Sequence, residues 1–369
     1  MSDPPRLLIL ADFAEERWPS MDLCARMLFE QLQPRTDLQV HLHLPKFAAR
    51  WSRWFHGSLA RNADRLRNRM KVYPTRLRGL RDGFDLFHLV DHSYSQLLHE
   101  LPPGRTGVFC HDLDTFACLL RPGQHPRPAW FRRMTRRILQ GFQKSGVVFH
   151  STDAVRQEIL SYGLIDPTKL VKAPLGIAPE FFAPVPDPAI QSLVARPYLL
   201  HVGSCIPRKR IDLLLTVFAA VSPTHDLRLI QVGGQWTTAQ ARQLAQLPPE
   251  RVTQVRDISR AALAWLYHRA RLVLLPSDAE GFGLPLVEAL AAGAVVVASD
   301  IPVLREVAGP AAVYCPAGAA DAWIETVDGL LSGRVDPPAE PTRREVAHRY
   351  TWAGHAATIA SAYLRLAGR

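Results

Sequence analysis

Two acids, Glu280 and Glu288, bracket the stretch Glu280-Gly-Phe-Gly-Leu-Pro-Leu-Val-Glu288. Gly281 and Gly283 let the backbone turn tightly there and come close to a bound group. Pro285 suits the first turn of a helix, where its missing N–H costs nothing. The first N–H groups of such a helix have no partner within it. Together with the helix dipole they favour an anion, phosphate above all. Glu288, about one helical turn inside, is too deep to face a phosphate. Its chemistry is to accept hydrogen bonds from hydroxyls, such as those of a ribose. Glu280, ahead of the turn, can do the same for a sugar. The spacing also fits a plain strand–helix–strand unit whose two acids form a solvated pair at a helix start.

Apolar runs outline the elements that must position these acids. Residues 272–275, Leu-Val-Leu-Leu, suit a strand buried on both faces, ended by Pro276 and Ser277. The following helix ends near Gly293, and 295–297 begin another strand. Further strands are expected at 198–203, 227–233 and 252–258, with a helix at 261–270. Toward the N-terminus, 6–13 reads as a strand and 21–32 as a helix with Ser20 as its N-cap. Residues 38–45 alternate into a second strand. This opening lacks Gly-x-Gly-x-x-Gly, so a dinucleotide site is not expected there. Residues 84–90 and 106–110 are strands ending in Asp91-His-Ser-Tyr94 and His111-Asp-Leu-Asp114. Parallel sheets bind ligands beyond such ends, which makes His111 a candidate, whereas His88 and His99 are expected to be satisfied structural residues. A further strand is expected at 146–151, with a helix at 153–162. Pro184-Val-Pro-Asp-Pro188 reads as an interdomain linker.

The segment 277–293, with both acids, the Gly-Phe-Gly-Leu-Pro turn and Glu288-Ala289, resembles the Glu-x7-Glu signature of the family-4 retaining glycosyltransferases. The resemblance implies an α/β GT-B fold, two Rossmann-like domains with a cleft between them. Residues 1–183 would be the acceptor domain, with a C-terminal helix (351–369) crossing back onto it. Residues 184–350 would bind the nucleotide sugar. It implies that Glu280 lies by the donor sugar, that Glu288 binds the ribose, and that the amides of Gly281, Phe282, Gly283 and Leu284 reach sugar and diphosphate. Gly203-Ser204-Cys-Ile-Pro-Arg208-Lys209 is similar to the family's phosphate loop, and Lys209 falls on its diphosphate-binding Lys. Many members have Arg directly after the glycine. This chain has Ser204, which leaves open whether Arg208 or Lys209 is the main diphosphate ligand. A cation at a helix start opposes the dipole, and an anion held between them resolves that conflict. Gly233 and Ile258 fall where the family turns toward and holds the nucleotide base. His111 falls on a His-Asp strand end that faces donor or acceptor. The likeness is strong over 198–314 and positional over 6–180. It extends to a last helix at about 343–367.

The 369 residues are 47% hydrophobic and 21% charged, suited to two domains with sizeable cores. The apolar runs are too short for a spanning helix, and the opening Leu7-Leu-Ile-Leu run is too short for a signal peptide. Five scattered cysteines (Cys24, Cys110, Cys118, Cys205, Cys315) fit buried thiols in a reducing cytoplasm. The net charge of +10 is uneven. Through Glu180 there are 26 Lys and Arg against 18 Asp and Glu, and beyond it 18 against 16. Residues 46–81 carry eleven basic residues and one acid, Asp64, and 121–144 carry seven and none. In 46–69, Phe47, Trp51, Trp54, Phe55, Leu59 and Leu66 sit among arginines at helical spacing. That suits an interfacial helix on an anionic membrane, or a core-facing helix with a basic outer side. In 121–144, Arg132, Arg133, Arg136 and Arg137 would cluster on one helix, suited to a lipid surface or lipid-linked phosphate. No groove-reading or RNA-stacking signature accompanies them, so no nucleic-acid partner is expected.

The expected activity is retaining hexosyl transfer from a nucleoside-diphosphate sugar, GDP-mannose or a UDP-sugar, to a hydroxyl of a glycan or lipid-linked acceptor. Mannosyl is favoured over glucosyl or N-acetylglucosaminyl. The expected setting is cell-envelope or exopolysaccharide synthesis, in the cytoplasm or on the inner face of the membrane. No further cofactor is expected. No metal is expected either, since the only Asp-x-Asp near a strand end, at 112–114, lies outside the donor domain. Two alternatives stay open: another GT-B enzyme, of epimerase or phosphorylase type, and a non-enzymatic basic module for membrane or nucleic acid.

Overall fold

The computed structural model describes residues 3–16, 18–55 and 57–368. The chain forms two compact units, one of 1–175 with 352–369 and one of 176–351. Each is built on a six-stranded parallel sheet, the architecture that apolar runs alternating with helices require.

In the first unit β1 (Arg6–Leu10), β2 (Gln39–His43), β3 (Leu86–Leu89), β4 (Thr106–Cys110), β5 (Val147–His150) and β6 (Leu170–Lys172) lie in the order β2-β1-β3-β4-β5-β6. Leu7 of β1 stands opposite Val40 on one side and Leu86 on the other. Strands β3, β4 and β5 are buried along their whole length, which is why apolar residues dominate them. The edge strand β2 is only partly covered and keeps its alternation.

The first helix runs Pro19–Leu32, so the expected cap Ser20 lies inside it. Pro19 takes the opening position, for which its fixed φ and missing N–H are suited. The basic segment 46–69 also departs from a single amphipathic helix. Its helix is Ser58–Arg67, which passes through a wider turn, Asn68–Val72, into Tyr73–Arg78. Pro74 in a regular helix would crowd the carbonyl four residues back, and the wide turn relieves that clash. Trp51, Trp54 and Phe55 lie ahead of the helix in a loop folded over Asp64. That carboxylate accepts from the N–H of Arg50, Trp51 and Ser52 and from Ser52 Oγ. Asn68 meets both the N–H and the carbonyl of Ala48. Loop backbone is thereby satisfied without a helix.

The expected C-terminal helix is broken in two, Glu340–Ala347 and Trp352–Leu366. Between them the Tyr350 carbonyl accepts from Ile177 N–H (3.1 Å), and Tyr350 Oη donates to the Val307 carbonyl (2.8 Å). Only the second piece belongs to the first unit, where it packs on Pro19–Leu32. Its Tyr363 Oη donates to the Phe87 carbonyl (2.8 Å) and lies 2.9 Å from His88 Nδ1. Residues 176–183, read from sequence as the end of the first domain, lie in the second unit. There Phe181 packs edge-on to Tyr267 at 5.9 Å, and Arg344 Nη1 donates to the Phe182 carbonyl (3.2 Å).

The second unit holds β7 (Tyr198–Val202), β8 (Arg228–Val232), β9 (Val252–Val255), β10 (Leu272–Leu275), β11 (Val296–Ser299) and β12 (Val313–Cys315). Their order is β12-β11-β10-β7-β8-β9. Leu199, Leu214, Leu229, Leu274, Val297 and Trp323 lie in one core cluster. All five cysteines are free and buried, as their scatter implied. Among the described residues no helix is long and apolar enough to cross a membrane.

Candidate functional site

In the second unit the direction of strand addition reverses between β7 and β10. Open α/β sheets hold ligands beyond the carboxyl ends of the strands at such a point. The two clusters singled out in the sequence leave the sheet from these two strands.

β7 leads through Gly203 and Ser204 into a short turn, Pro207–Lys209. Glutamines from β8 and the next helix hold this loop. Gln231 Nε2 donates to the Gly203 carbonyl (2.8 Å), and Gln240 Nε2 donates to the Cys205 carbonyl (3.1 Å). Gln254, opposite Gln231 on β9, donates to its Oε1 (2.8 Å). Gly233 and Gly234 close over the same loop. A Cβ on Gly234, whose φ is +64°, would come within 2.6 Å of Cys205 N, so glycine alone fits.

The turn after β10 is joined to this loop by backbone and by charge. Asp278 N–H donates to the Arg208 carbonyl (2.8 Å), and Arg208 Nη1 donates to the Ala279 carbonyl (2.9 Å). Lys209 Nζ donates to Glu280 Oε1 at 2.5 Å, with Arg208 Nη1 3.8 Å from Oε2. Both the lysine and the glutamate are largely buried. Burial works to raise the Glu280 carboxyl, but the Lys209 ammonium and Arg208 guanidinium outweigh it and hold the group below its ordinary value. Arg210, left-handed at φ 49°, pairs with Asp212 (2.9 Å) and Asp278 (3.1 Å).

Gly283, at φ +87°, turns the chain into the helix Leu284–Ala291, with Pro285 in its first turn. The Phe282 side chain is buried edge-on against Tyr350 at 5.2 Å, which fixes the backbone of the turn. Glu288 is buried within that helix, where it accepts from Tyr267 Oη (3.2 Å). Burial pushes its carboxyl up to about 8, against the tyrosine bond and Arg260, which act to lower it. Burial therefore favours the protonated form of Glu288 at neutral pH. Ile258 is half-buried beyond the edge strand β9, separated from β7 by β8. His111 belongs to the first unit, at the end of β4. Its Nε2–H donates to the Val90 carbonyl (2.9 Å), and its ring lies 4.6 Å from that of Phe109. Burial lowers its pKa, although Asp91 and the Val90 carbonyl act to raise it. His99 Nε2 meets the Arg137 carbonyl and His88 meets Tyr363, the satisfied roles expected of both.

The structure thus brings Arg208, Lys209 and Glu280 into direct contact, with Gly203, Ser204 and Gly233 around the same loop. Tyr267, Gln231 and the Arg210–Asp278 pair were not among the candidates. Gln231 and Gln254 carried a signal, since amides in strands of a buried parallel sheet need partners. Tyr267 carried none, because it reads as an ordinary core aromatic. Among the described residues no group of three or more His, Cys, Asp or Glu is placed to hold a metal.

Residues 188–348 match the family of glycosyl transferases group 1. The group 1 match thus begins just before β7 and contains Arg208, Lys209, Glu280 and Glu288. An O-antigen chain mannosyltransferase B of Escherichia coli is 28% identical over 222 residues, 58% of this chain and 57% of the relative. A D-inositol 3-phosphate glycosyltransferase of Mycobacterium marinum is 30% identical over 236 residues, 59% of this chain and 50% of the relative. The chain therefore matches only about half the length of these relatives. Among solved structures, Anabaena Alr3699/HepE in complex with UDP and glucose superposes with a TM-score of 0.69, covering 97% of this chain and 98% of that one. At 16% identity that likeness is one of fold, and the fold is the expected α/β GT-B class with two Rossmann-like units.

Proposed function

We propose that the chain is a family-4 retaining glycosyltransferase that moves a hexosyl group, mannosyl above others, from a nucleoside-diphosphate sugar to an acceptor hydroxyl. The observation that carries this reading is the Lys209–Glu280 pair at the strand-order reversal, beside the start of the helix Leu284–Ala291. The group 1 match over the same residues supports it, as do relatives named as an O-antigen mannosyltransferase and an inositol phosphate glycosyltransferase.

In this reading the donor diphosphate sits between the loop after β7 and the helix start. An ammonium has three N–H donors, so holding Glu280 does not exhaust Lys209. Lys209 and Arg208 offset the charge that builds on the leaving phosphate oxygen, and the helix N-terminus adds to them. Glu280, ionised by its cations, accepts from a donor-sugar hydroxyl, and Glu288 bonds the ribose hydroxyls. The backbone of Gly281 to Leu284 contacts sugar and diphosphate, and Ile258 contacts the base. The bond from the anomeric carbon to phosphate breaks while the acceptor oxygen bonds that carbon on the same face. The acceptor's proton passes to the leaving phosphate, so no protein nucleophile is needed. For His111 we propose a hydrogen bond to a sugar hydroxyl of the donor or to the acceptor. The cations and helix start are proposed to do the work of a metal ion, and the setting is cell-envelope or exopolysaccharide synthesis.

A thermal-shift panel of GDP-mannose, UDP-glucose and UDP-N-acetylglucosamine, run in EDTA, tests the reading. Donor binding stabilises the fold by mass action, by about 2.7 kcal/mol at a hundred times Kd. GDP-mannose is expected to give the largest shift. No shift with any donor sinks the proposal, and transfer abolished by EDTA sinks its metal-free part.

A further inference from the structure

The helix Leu284–Ala291, whose start is proposed above to meet the diphosphate, carries no charge of its own at either end. It has no acid in its first turn, no base in its last, and no side chain capping its first N–H groups. An acid in the first turn would offset the positive end of the dipole, so here that end is left open.

The other end is fully partnered. The carbonyls of Glu288, Ala289 and Leu290 accept from Ala292, Ala294 and Gly293 N–H (3.0, 2.9 and 3.0 Å). The next three are met by side chains from elsewhere in the unit. Arg344 Nη1 donates to the Ala291 carbonyl (2.8 Å), and His268 Nδ1 lies 3.1 Å from the Ala292 carbonyl. Arg343 donates to the Gly293 carbonyl through Nη2 (2.8 Å) and Nε (3.2 Å). Both arginines come from the helix Glu340–Ala347. Gly293 lets that helix approach. At its φ of +80° a Cβ would lie 2.8 Å from Arg344 Nη2 and 2.9 Å from Glu340 Oε1.

The charge placed there is an unfavourable one to bury. Arg343 is buried, and its hydrogen bonds among the described residues go to the carbonyls of Gly293 and Pro338. Burial draws its pKa below the ordinary guanidinium value, with Glu340 acting against that. Glu340 itself accepts from Arg344 Nε (2.8 Å), and this bond holds its carboxyl low, with Arg343 and His268 acting the same way. Two guanidiniums thus face one carboxylate. A buried cation without a carboxylate of its own needs another negative charge to offset it. The carbonyl end of the helix supplies one, equivalent to about half an elementary charge. A cap needed only for hydrogen bonding would serve as well with amides or water. Cations go further, because cancelling the negative end leaves the positive end unopposed for an anion at the helix start.

We propose that Arg343 and Arg344 are positioning residues for the donor diphosphate, acting through the helix Leu284–Ala291 to fix its end and strengthen its start as an anion site. This rests on the donor reading of that site, to which it adds residues from near the C-terminus.

The test measures binding to the full chain with two pairs of probes, GDP with guanosine and UDP with uridine. Calorimetry serves for the diphosphates and ligand-observed NMR for the weaker nucleosides. Within a pair, the ratio of affinities isolates what the diphosphate contributes. Arg343→Gln and Arg344→Gln are each expected to weaken the preferred nucleoside diphosphate about threefold and to leave its nucleoside unchanged. Arg343→Lys, which keeps the charge, is expected to retain most of the preference. Arg196→Gln removes an equal charge from an exposed pair with Asp226, ahead of β7, and is expected to change neither affinity. A merely structural cap predicts a lower melting temperature with both members of a pair weakened alike. That pattern, or Arg343→Lys falling as far as Arg343→Gln, overturns the inference and leaves the donor reading standing. A wild-type chain that binds neither diphosphate more tightly than its nucleoside sinks the donor reading, and the inference with it. Arg344 is partly exposed, so its variant decides the matter if Arg343→Gln does not fold.

Discussion

At the scale of single residues, the Lys209–Glu280 contact decides what either group can do. Each is largely buried, and each removes the other's uncompensated charge. Lys209→Ala leaves Glu280 with the weaker Arg208 contact alone, so its carboxyl rises and the fold loses about 3 kcal/mol, the lower range for breaking a buried pair. If Lys209 also stabilises the leaving diphosphate, turnover falls by about 10²–10³-fold. A urea melt and a transfer assay on the same sample check both. Lost stability with turnover within threefold of wild type would make the pair structural only. Glu288 gives a prediction of opposite sign. Its folded pKa, about 8, lies above an ordinary value of 4.5. Its contribution is full below pH 4.5 and declines as the pH rises toward 8, by on the order of 5 kcal/mol in all. Glu288→Gln mimics the protonated form. The variant is expected to melt higher than wild type at pH 8, equally at pH 4.5, and to show weakened donor binding. Parallel pH–stability curves for the two proteins would refute the assignment.

At the scale of elements, what could be read in the sequence was what local chemistry dictates. β10 falls at 272–275 as expected because a strand buried on both faces has no polar residue to blur its ends. The turn at 281–285 was legible because its backbone demands particular residue types. Gly283→Ala tests that demand. A Cβ at φ +87° is strained, and it would also lie 2.8 Å from Leu304 Cδ2. The left-handed conformation alone costs about 1–2 kcal/mol. The expected result is a lower urea midpoint together with a weaker donor-induced shift, since the strain falls on the amides proposed to meet the diphosphate. An unchanged midpoint would show that the turn relaxes freely. The segment 46–69 was misread as one helix because periodicity does not report a loop held by a remote carboxylate. Asp64 binds three loop N–H groups, and nothing near Trp51 announces it. The resemblance set Lys209 and Glu280 at one donor, but their direct bond was not legible, because the partners are 71 residues apart and meet only through the pairing of β7 with β10.

At the scale of the whole molecule, the order of the chain and the order of the fold differ at the C-terminus. The helix Trp352–Leu366 comes last in sequence but completes the first unit. Trp352, Ile359 and Tyr363 are buried there, and each contributes about 2 kcal/mol by area. Tyr363 also satisfies the Phe87 carbonyl and meets His88, a buried imidazole that burial pushes down to about 3. Removing residues 352–369 therefore strips about 6 kcal/mol of burial from a unit whose net stability is of that order, and leaves polar groups of β3 unpartnered. The second unit keeps its whole sheet, with Lys209, Glu280 and Glu288 all inside 176–351. Calorimetry of the chain ending at Thr351 is expected to lose the first unit's transition and keep the second's. The second should still rise in temperature with the preferred sugar nucleotide. If both transitions vanished together, the two units would not be independent in stability. If both transitions persisted unchanged, the last helix would be dispensable and the energetic role given to Tyr363 would be wrong.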